Sequence, residues 1–392
     1  LGPPIKGDDM KVIFLFMSKS SAAPGSTTTN DWLGKKAGKE YDRHNDESYF
    51  MMFKDLLDAG IISDLKVFFE SGVHPGWANF VPGAHNYVIP EIRFINQCID
   101  DDTVIFVRGG FKHWHDLLKE RKGKNWLITY AANTGRDKWT WWDVVFDDLE
   151  MKNQIDRHER YHFPFIKPVN EEIFAPMAST KKYDICIGAS HIHDKKGQYL
   201  GVKLMKEFKA LYGYYPTAIM PGSLRRSLHT AQMIKDPILS NEVELPGMLN
   251  KRELARVFSE SKVFLHLGGG GQGDRSVLEA HACGIPVVIK TPKRHSPLLK
   301  DDGQSIYHFP EGESMITWAI RLSAILTDHK PESVYHLYSI YQKRMGYENI
   351  IKPQLAKFFQ TIAGTKPTLE MKEKLVKEIT ATMEVLHGTR TD

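Results

Sequence analysis

Between Val263 and Ile289 the chain reads as a strand, a glycine-rich loop, a helix, a turn and a second strand. Five of the six residues from Gly268 to Gly273 are glycine. A loop that opens a helix presents free backbone N–H groups and the positive end of the helix dipole, and both attract phosphate. Glycine lets that backbone come close to a bound group. Glu279 follows about one and a half turns into the helix, where a carboxylate can accept from two vicinal hydroxyls. Gly269, Gly270, Gly271, Gly273 and Asp274, with Arg275, Ser276 and Val277 at the helix start, are therefore expected to line a phosphate- and ribose-bearing ligand, a nucleoside diphosphate.

A second group lies in the amino-terminal half. Arg108, His113 and His115 follow one expected strand, and Asn133 and Arg136 follow the next. A neutral imidazole at a strand end can orient a hydroxyl or accept its proton. His113-x-His115 also has a zinc-like spacing, but no third ligand follows at a usable distance, so no metal is expected. Trp139, Trp141 and Trp142 read as packing before they read as a stacking platform.

These residues need a scaffold of alternating strands and helices, and the pattern supplies one. Apolar, β-rich segments at Met10–Met17, Leu65–Phe69, Thr103–Val107, Trp126–Tyr130 and Trp142–Phe146 are separated by connections of helix length, which predicts a parallel sheet covered on both faces. The pattern restarts after the proline-punctuated segment His162–Asn170. Strands are expected at Tyr183–Gly188, Pro216–Met220, Val243–Leu245, Val263–Leu267 and Pro286–Ile289. Helices are expected at Leu200–Tyr212 and at Asn250–Phe258, with Asn250 as N-cap. From Glu332 the tail reads as helical, interrupted near Gly346 and Gly364.

The chain has 392 residues, 42% hydrophobic and 26% charged, as in an ordinary globular protein of about two domains. No apolar run approaches the roughly 20 residues that span a bilayer, so no transmembrane segment is expected. Cys98, Cys186 and Cys283 lie far apart within apolar runs and read as free thiols of a reducing, cytoplasmic compartment. Net charge is +4, too little to imply nucleic-acid binding alone. It divides into about −2 over residues 10–165 and about +7 over 166–392, an excess that suits a phosphorylated ligand. Residues 1–9 read as an added leader. The expected divisions are 10–165, 166–345 and a helical tail at 346–392.

Four segments of the second half resemble the retaining family 4 glycosyltransferases, in the order that family has them. They are Phe165–Pro176 with its Phe-x-Pro ending; Ile185–Gly188 followed by Lys195-Lys196-Gly197; Leu245–Leu254; and the glycine loop with Leu278-Glu279-Ala280. The resemblance implies an α/β protein of GT-B fold, two Rossmann-like doubly wound domains facing across a cleft, with the C-terminal helix crossing back to the first domain. It implies a nucleotide-sugar donor, UDP-sugar foremost, transfer with retention to a hydroxyl acceptor, and no obligatory cofactor or metal. Glu279 would bind the donor ribose, Lys196 the diphosphate, and the turn at Met248 the nucleobase. Arg225, Arg226 or Arg275 would add positive charge.

The chain departs from the family at Gly271, where the first acid of a Glu-x7-Glu pair normally contacts the transferred sugar, and at Ala189-Ser190-His191, where an arginine is usual. The expected acceptor, reached through Arg108, His113, His115, Asn133 and Arg136, is a glycan or small molecule. A hydroxylated base in DNA is the alternative, and the polar, partly basic stretch from Ser18 to Arg43 would favour it. A catalytically idle nucleotide-sugar-binding scaffold is a further alternative.

Overall fold

The computed structural model describes the chain apart from residues 1–9, 17–47, 70–80, 89–90, 109–113, 131–140, 148–153, 189–190, 193–195, 225–234, 248, 269–274, 292–298, 331–332 and 388–392. Internal contacts divide it into two units, Leu1–Pro168 with Ile350–Asp392, and Val169–Asn349.

In the first unit, strands β1 (Lys11–Phe16), β2 (Asp64–Phe69), β3 (His85–Val88), β4 (Thr103–Arg108), β5 (Leu127–Tyr130), β6 (Val144–Asp147) and β7 (Tyr161–Pro164) form one sheet. The order is β3-β2-β1-β4-β5-β6-β7 and every pair is parallel. A parallel sheet needs cover on both faces, and central β1 is accordingly buried along Val12–Phe16. Helices α1 (Ser48–Asp58), α2 (Ile92–Gln97) and α3 (His115–Arg121) connect the strands. Phe14 meets Phe53 and Phe106 at ring distances of 4.9 and 5.5 Å.

The second unit holds β8 (Tyr183–Ile187), β10 (Ala218–Ile219), β12 (Val243–Glu244), β13 (Ser261–His266), β14 (Val287–Lys290) and β15 (Ile306–Phe309), in the order β12-β10-β8-β13-β14-β15 and again all parallel. A two-stranded pair, β9 (His191–Ile192) with β11 (Ser223–Leu224), stands apart from that sheet. Its helices are α4 (Gln198–Tyr212), α5 (Pro237–Asn241), α6 (Lys251–Glu260), α7 (Arg275–Ala282), α8 (Met315–Asp328) and α9 (Ser333–Met345). The core under α4 and α8 includes Ile187, Leu204, Phe208, Leu265 and Trp318.

The chain returns to the first unit through a π-helical turn (Tyr347–Ile351), α10 (Lys352–Ile362) and α11 (Leu369–Leu386). Phe358 packs 4.7 Å from Phe163 and 5.3 Å from Phe146, ring to ring. A fully buried aromatic of this kind contributes about 1.5–3 kcal/mol. Gln354 donates to the Pro164 carbonyl at 2.9 Å, and Trp126 donates to the Thr365 carbonyl at 3.1 Å. Lys372 of α11 meets buried Asp143 at 2.9 Å. Among the described residues no helix is long and apolar enough to cross a membrane.

Cys186 and Cys283 are free and buried, and Cys98 is free and half-buried. Burial pushes the Cys186 and Cys283 thiols up, with the Glu279 carboxylate adding to the effect at Cys283, so neither is a ready nucleophile.

Candidate functional site

β13 and β8 are neighbours at the middle of the second sheet, and both end at its carboxyl edge, where open α/β sheets bind ligands. β13 runs out through Leu267 and Gly268, and α7 begins at Arg275. The face of α7 is buried: Ser276, Val277, Leu278, Glu279 and His281 are all inaccessible, and Arg275 is half-buried. A buried helix start next to a sheet edge keeps its dipole in low dielectric, where it acts more strongly on an anion.

The exit of β8 is shaped to meet this loop. Gly188 has φ +62° and Gly197 φ +75°, both in the left-handed region. A Cβ built on Gly197 would stand 2.2 Å from the Leu267 carbonyl carbon and 2.3 Å from the Gly268 nitrogen. The turn carrying Lys196 and the first residues of the glycine loop are thus in backbone contact, a contact only glycine permits. Lys196 itself is half-buried. Gly197 is also the N-cap of α4, whose amino end has no side-chain cap, so its first N–H groups have no side-chain acceptor at the cap.

Glu279 is 3% exposed, and its Oε1 accepts from Lys251 Nζ. Lys251 is the first residue of α6, which starts with a capping box: Asn250 Oδ1 accepts from the Glu253 N–H at 2.8 Å, and Glu253 accepts from the Asn250 N–H at 2.7 Å. The Lys251 ammonium also lies 5.4 Å from the centre of the Phe174 ring, within cation–π range. Sequence reasoning missed Lys251. No spacing relates residues 251 and 279, and the pair exists because α6 packs on α7.

Two residues beyond Glu279, His281 is fully buried, with its ring 5.6 Å from Tyr341. Burial lowers its pKa to about 4, so it is a neutral core imidazole at ordinary pH. Behind it, Gly284 (φ +73°) turns the chain toward β14, and a Cβ there would meet the Val334 carbonyl oxygen at 2.4 Å.

In the first unit Arg108 ends β4 with its guanidinium 5.2 Å from the Phe16 ring and 4.9 Å from the Tyr49 ring. His115 begins α3; its Nδ1 is 2.9 Å from the Asp116 carboxylate, and its ring packs edge-on against Trp141 at 4.9 Å. Trp142 is buried in the core, the packing role expected of it.

The structure therefore sets the turn that carries Lys196 against Leu267 and Gly268, and separately places Arg275, Ser276, Val277 and Glu279 on α7. Gly269, Gly270, Gly271, Gly273, Asp274, Met248, Arg225 and Arg226 lie outside the described residues, as do His113, Asn133, Arg136 and Trp139. Among the described residues no group of three His, Cys, Asp or Glu side chains could hold a metal ion.

No family model matches this chain, and no curated protein matches it in sequence. Solved structures do match in fold. HepE from Anabaena, solved with UDP and glucose, is similar at 15% identity and a TM-score of 0.61, over 88% of this chain and 98% of that one. A glycosyltransferase from Rickettsia africae is similar at 11% identity and a TM-score of 0.62, over 96% and 99% of the two chains. TarM aligns at 13% identity and a TM-score of 0.52, over 73% and 57%. The chain has the two-sheet α/β fold of the GT-B glycosyltransferases.

Proposed function

We propose that this protein is a glycosyltransferase that moves a sugar from a nucleotide-diphosphate donor, a UDP-sugar foremost, to a hydroxyl group of a glycan or small-molecule acceptor, with retention at the anomeric carbon. The observation that carries the reading is the close contact of Gly197 with Leu267 and Gly268, on the same sheet edge as the helix that buries Glu279. It sets a lysine-bearing turn and the start of α4 against Gly268, an arrangement suited to a diphosphate. HepE, of the same fold, was solved with UDP-glucose, which supports the choice of donor.

In this reading Glu279 accepts from the ribose hydroxyls, and Lys196 with Arg275 balances the diphosphate. As the bond from the anomeric carbon to the leaving phosphate oxygen stretches, negative charge grows on that oxygen. Cations and backbone N–H groups already in place stabilise the change with little reorganisation. Arg108 and His115 are proposed for the acceptor side.

The test is a mass-spectrometric screen of nucleotide sugars against oligosaccharides, small hydroxylated acceptors and short DNA. Transfer from a UDP-sugar to a glycan or small molecule is the expected result. UDP binding with no transfer or donor hydrolysis across the panel would mean a nucleotide-sugar-binding protein instead. Transfer to DNA alone would replace the acceptor assignment.

A further inference from the structure

Glu279 is 3% exposed, and a carboxylate buried to that degree needs a hydrogen-bonded partner. Glu279 has one compensating partner among the described residues, the Lys251 ammonium on Oε1. No other hydrogen bond reaches its side chain there. Lys251 is in turn fixed from two sides, by its place at the capped start of α6 and by the Phe174 ring beneath its ammonium.

The remaining charged and titratable groups near α7 are engaged elsewhere or do not reach the carboxylate. Packed against α7 are α6, α9, β13 and β14. On β14, Lys290 pairs with Glu311 at 2.9 Å, and on α9, Arg344 pairs with Asp302 at 2.7 Å. Tyr341 of α9 meets His281 edge-on at 5.6 Å, and His266 of β13 stacks on Phe264 at 6.3 Å. Arg275 and His281 belong to α7 itself. Cys283, in the turn after it, has its thiol raised partly by the Glu279 charge.

Resting on the donor-site reading above, we infer that Lys251 is a positioning residue for nucleoside recognition: seated on Phe174, it holds Glu279 through Oε1 and leaves Oε2 to accept from the ribose diol, so that discrimination between ribose and 2′-deoxyribose depends on Lys251. A carboxylate with one oxygen already occupied has a defined orientation, and a ribose lacking one hydroxyl forfeits a charge-assisted bond to it. Removing the ammonium takes away the partner that fixes the carboxylate, so Oε2 is no longer presented to the diol in one defined orientation.

The test uses the full chain as wild type, Lys251→Met, Lys251→Arg and Glu279→Gln. Binding of UDP and 2′-deoxy-UDP is measured by calorimetry at neutral pH. Wild type should prefer UDP by about tenfold. Lys251→Met should reduce the preference to about threefold or less. Lys251→Arg should keep the preference. A merely structural role for Lys251 would weaken both nucleotides alike and leave their ratio unchanged. If Lys251→Met keeps the wild-type ratio while Glu279→Gln loses it, the inference falls and the ribose assignment stands. If Glu279→Gln keeps the ratio, or wild type binds neither nucleotide, the ribose assignment falls and takes the inference with it.

Discussion

Gly197 and Leu267, seventy positions apart in the chain, lie so close that a Cβ on the glycine would stand 2.2 Å from the leucine carbonyl carbon. This approach ties the exit of β8 to the exit of β13 and sets the Lys196 turn against Gly268. Replacing Gly197 with alanine should therefore damage site and fold together. The left-handed backbone costs a non-glycine residue roughly 1–2 kcal/mol, and the backbone overlap adds to that. A fall in melting temperature together with weaker UDP binding is expected. A variant that melts like wild type and binds UDP equally well would show that the contact is not required.

Glu279→Ala removes the proposed ribose acceptor and strands the half-buried Lys251. UDP binding should weaken by about 1–3 kcal/mol, the cost of a lost charge-assisted partner. Calorimetry measures this directly, and an unchanged affinity would rule Glu279 out as the ribose ligand.

Lys196→Ala should act mainly on turnover. Leaving-group charge is larger in the transition state than in the bound donor, so the missing cation is felt most there. A loss of about 10²-fold in kcat, with uridine affinity nearly unchanged, is the expected pattern. Weaker uridine-nucleotide binding with kcat unchanged would place Lys196 in binding alone.

His281 predicts an acid-side loss of stability. Its pKa is lowered by burial from 6.5 to about 4. Above pH 6.5 the imidazole is neutral both folded and unfolded and contributes nothing to pH dependence. As the pH falls below 6.5 the unfolded chain takes up a proton that the folded chain refuses, and stability declines until about pH 4. The total is on the order of 3 kcal/mol. His281→Leu should flatten this part of the stability profile in denaturant titrations at pH 7, 6 and 5. A variant as acid-sensitive as wild type across that window would show that other groups carry the effect.

Much of the scaffold was legible in the amino-acid sequence because central parallel strands are buried on both faces and must be continuously apolar. Val12–Phe16 and Val263–Leu267 announce themselves in this way. Asn250 with Glu253 marks the start of α6 as plainly, since a capping box is local chemistry. The edge strands β3 and β15 were not legible. His85-Asn86-Tyr87-Val88 and Ile306-Tyr307-His308-Phe309 end their sheets, pair on one side only, and have no need of an apolar run.

By itself, then, the sequence determined the alternation of strand and helix, the glycine loop, the helix that carries Glu279 and the thiols left free. These follow from hydrophobic period, backbone freedom and capping, which act over a few residues. Tertiary structure alone decided that Gly197 would touch Leu267 and that Lys251 would stand between Phe174 and Glu279. Each of those contacts joins residues far apart in the chain, and only the packing of helices on a shared sheet brings them within bonding distance.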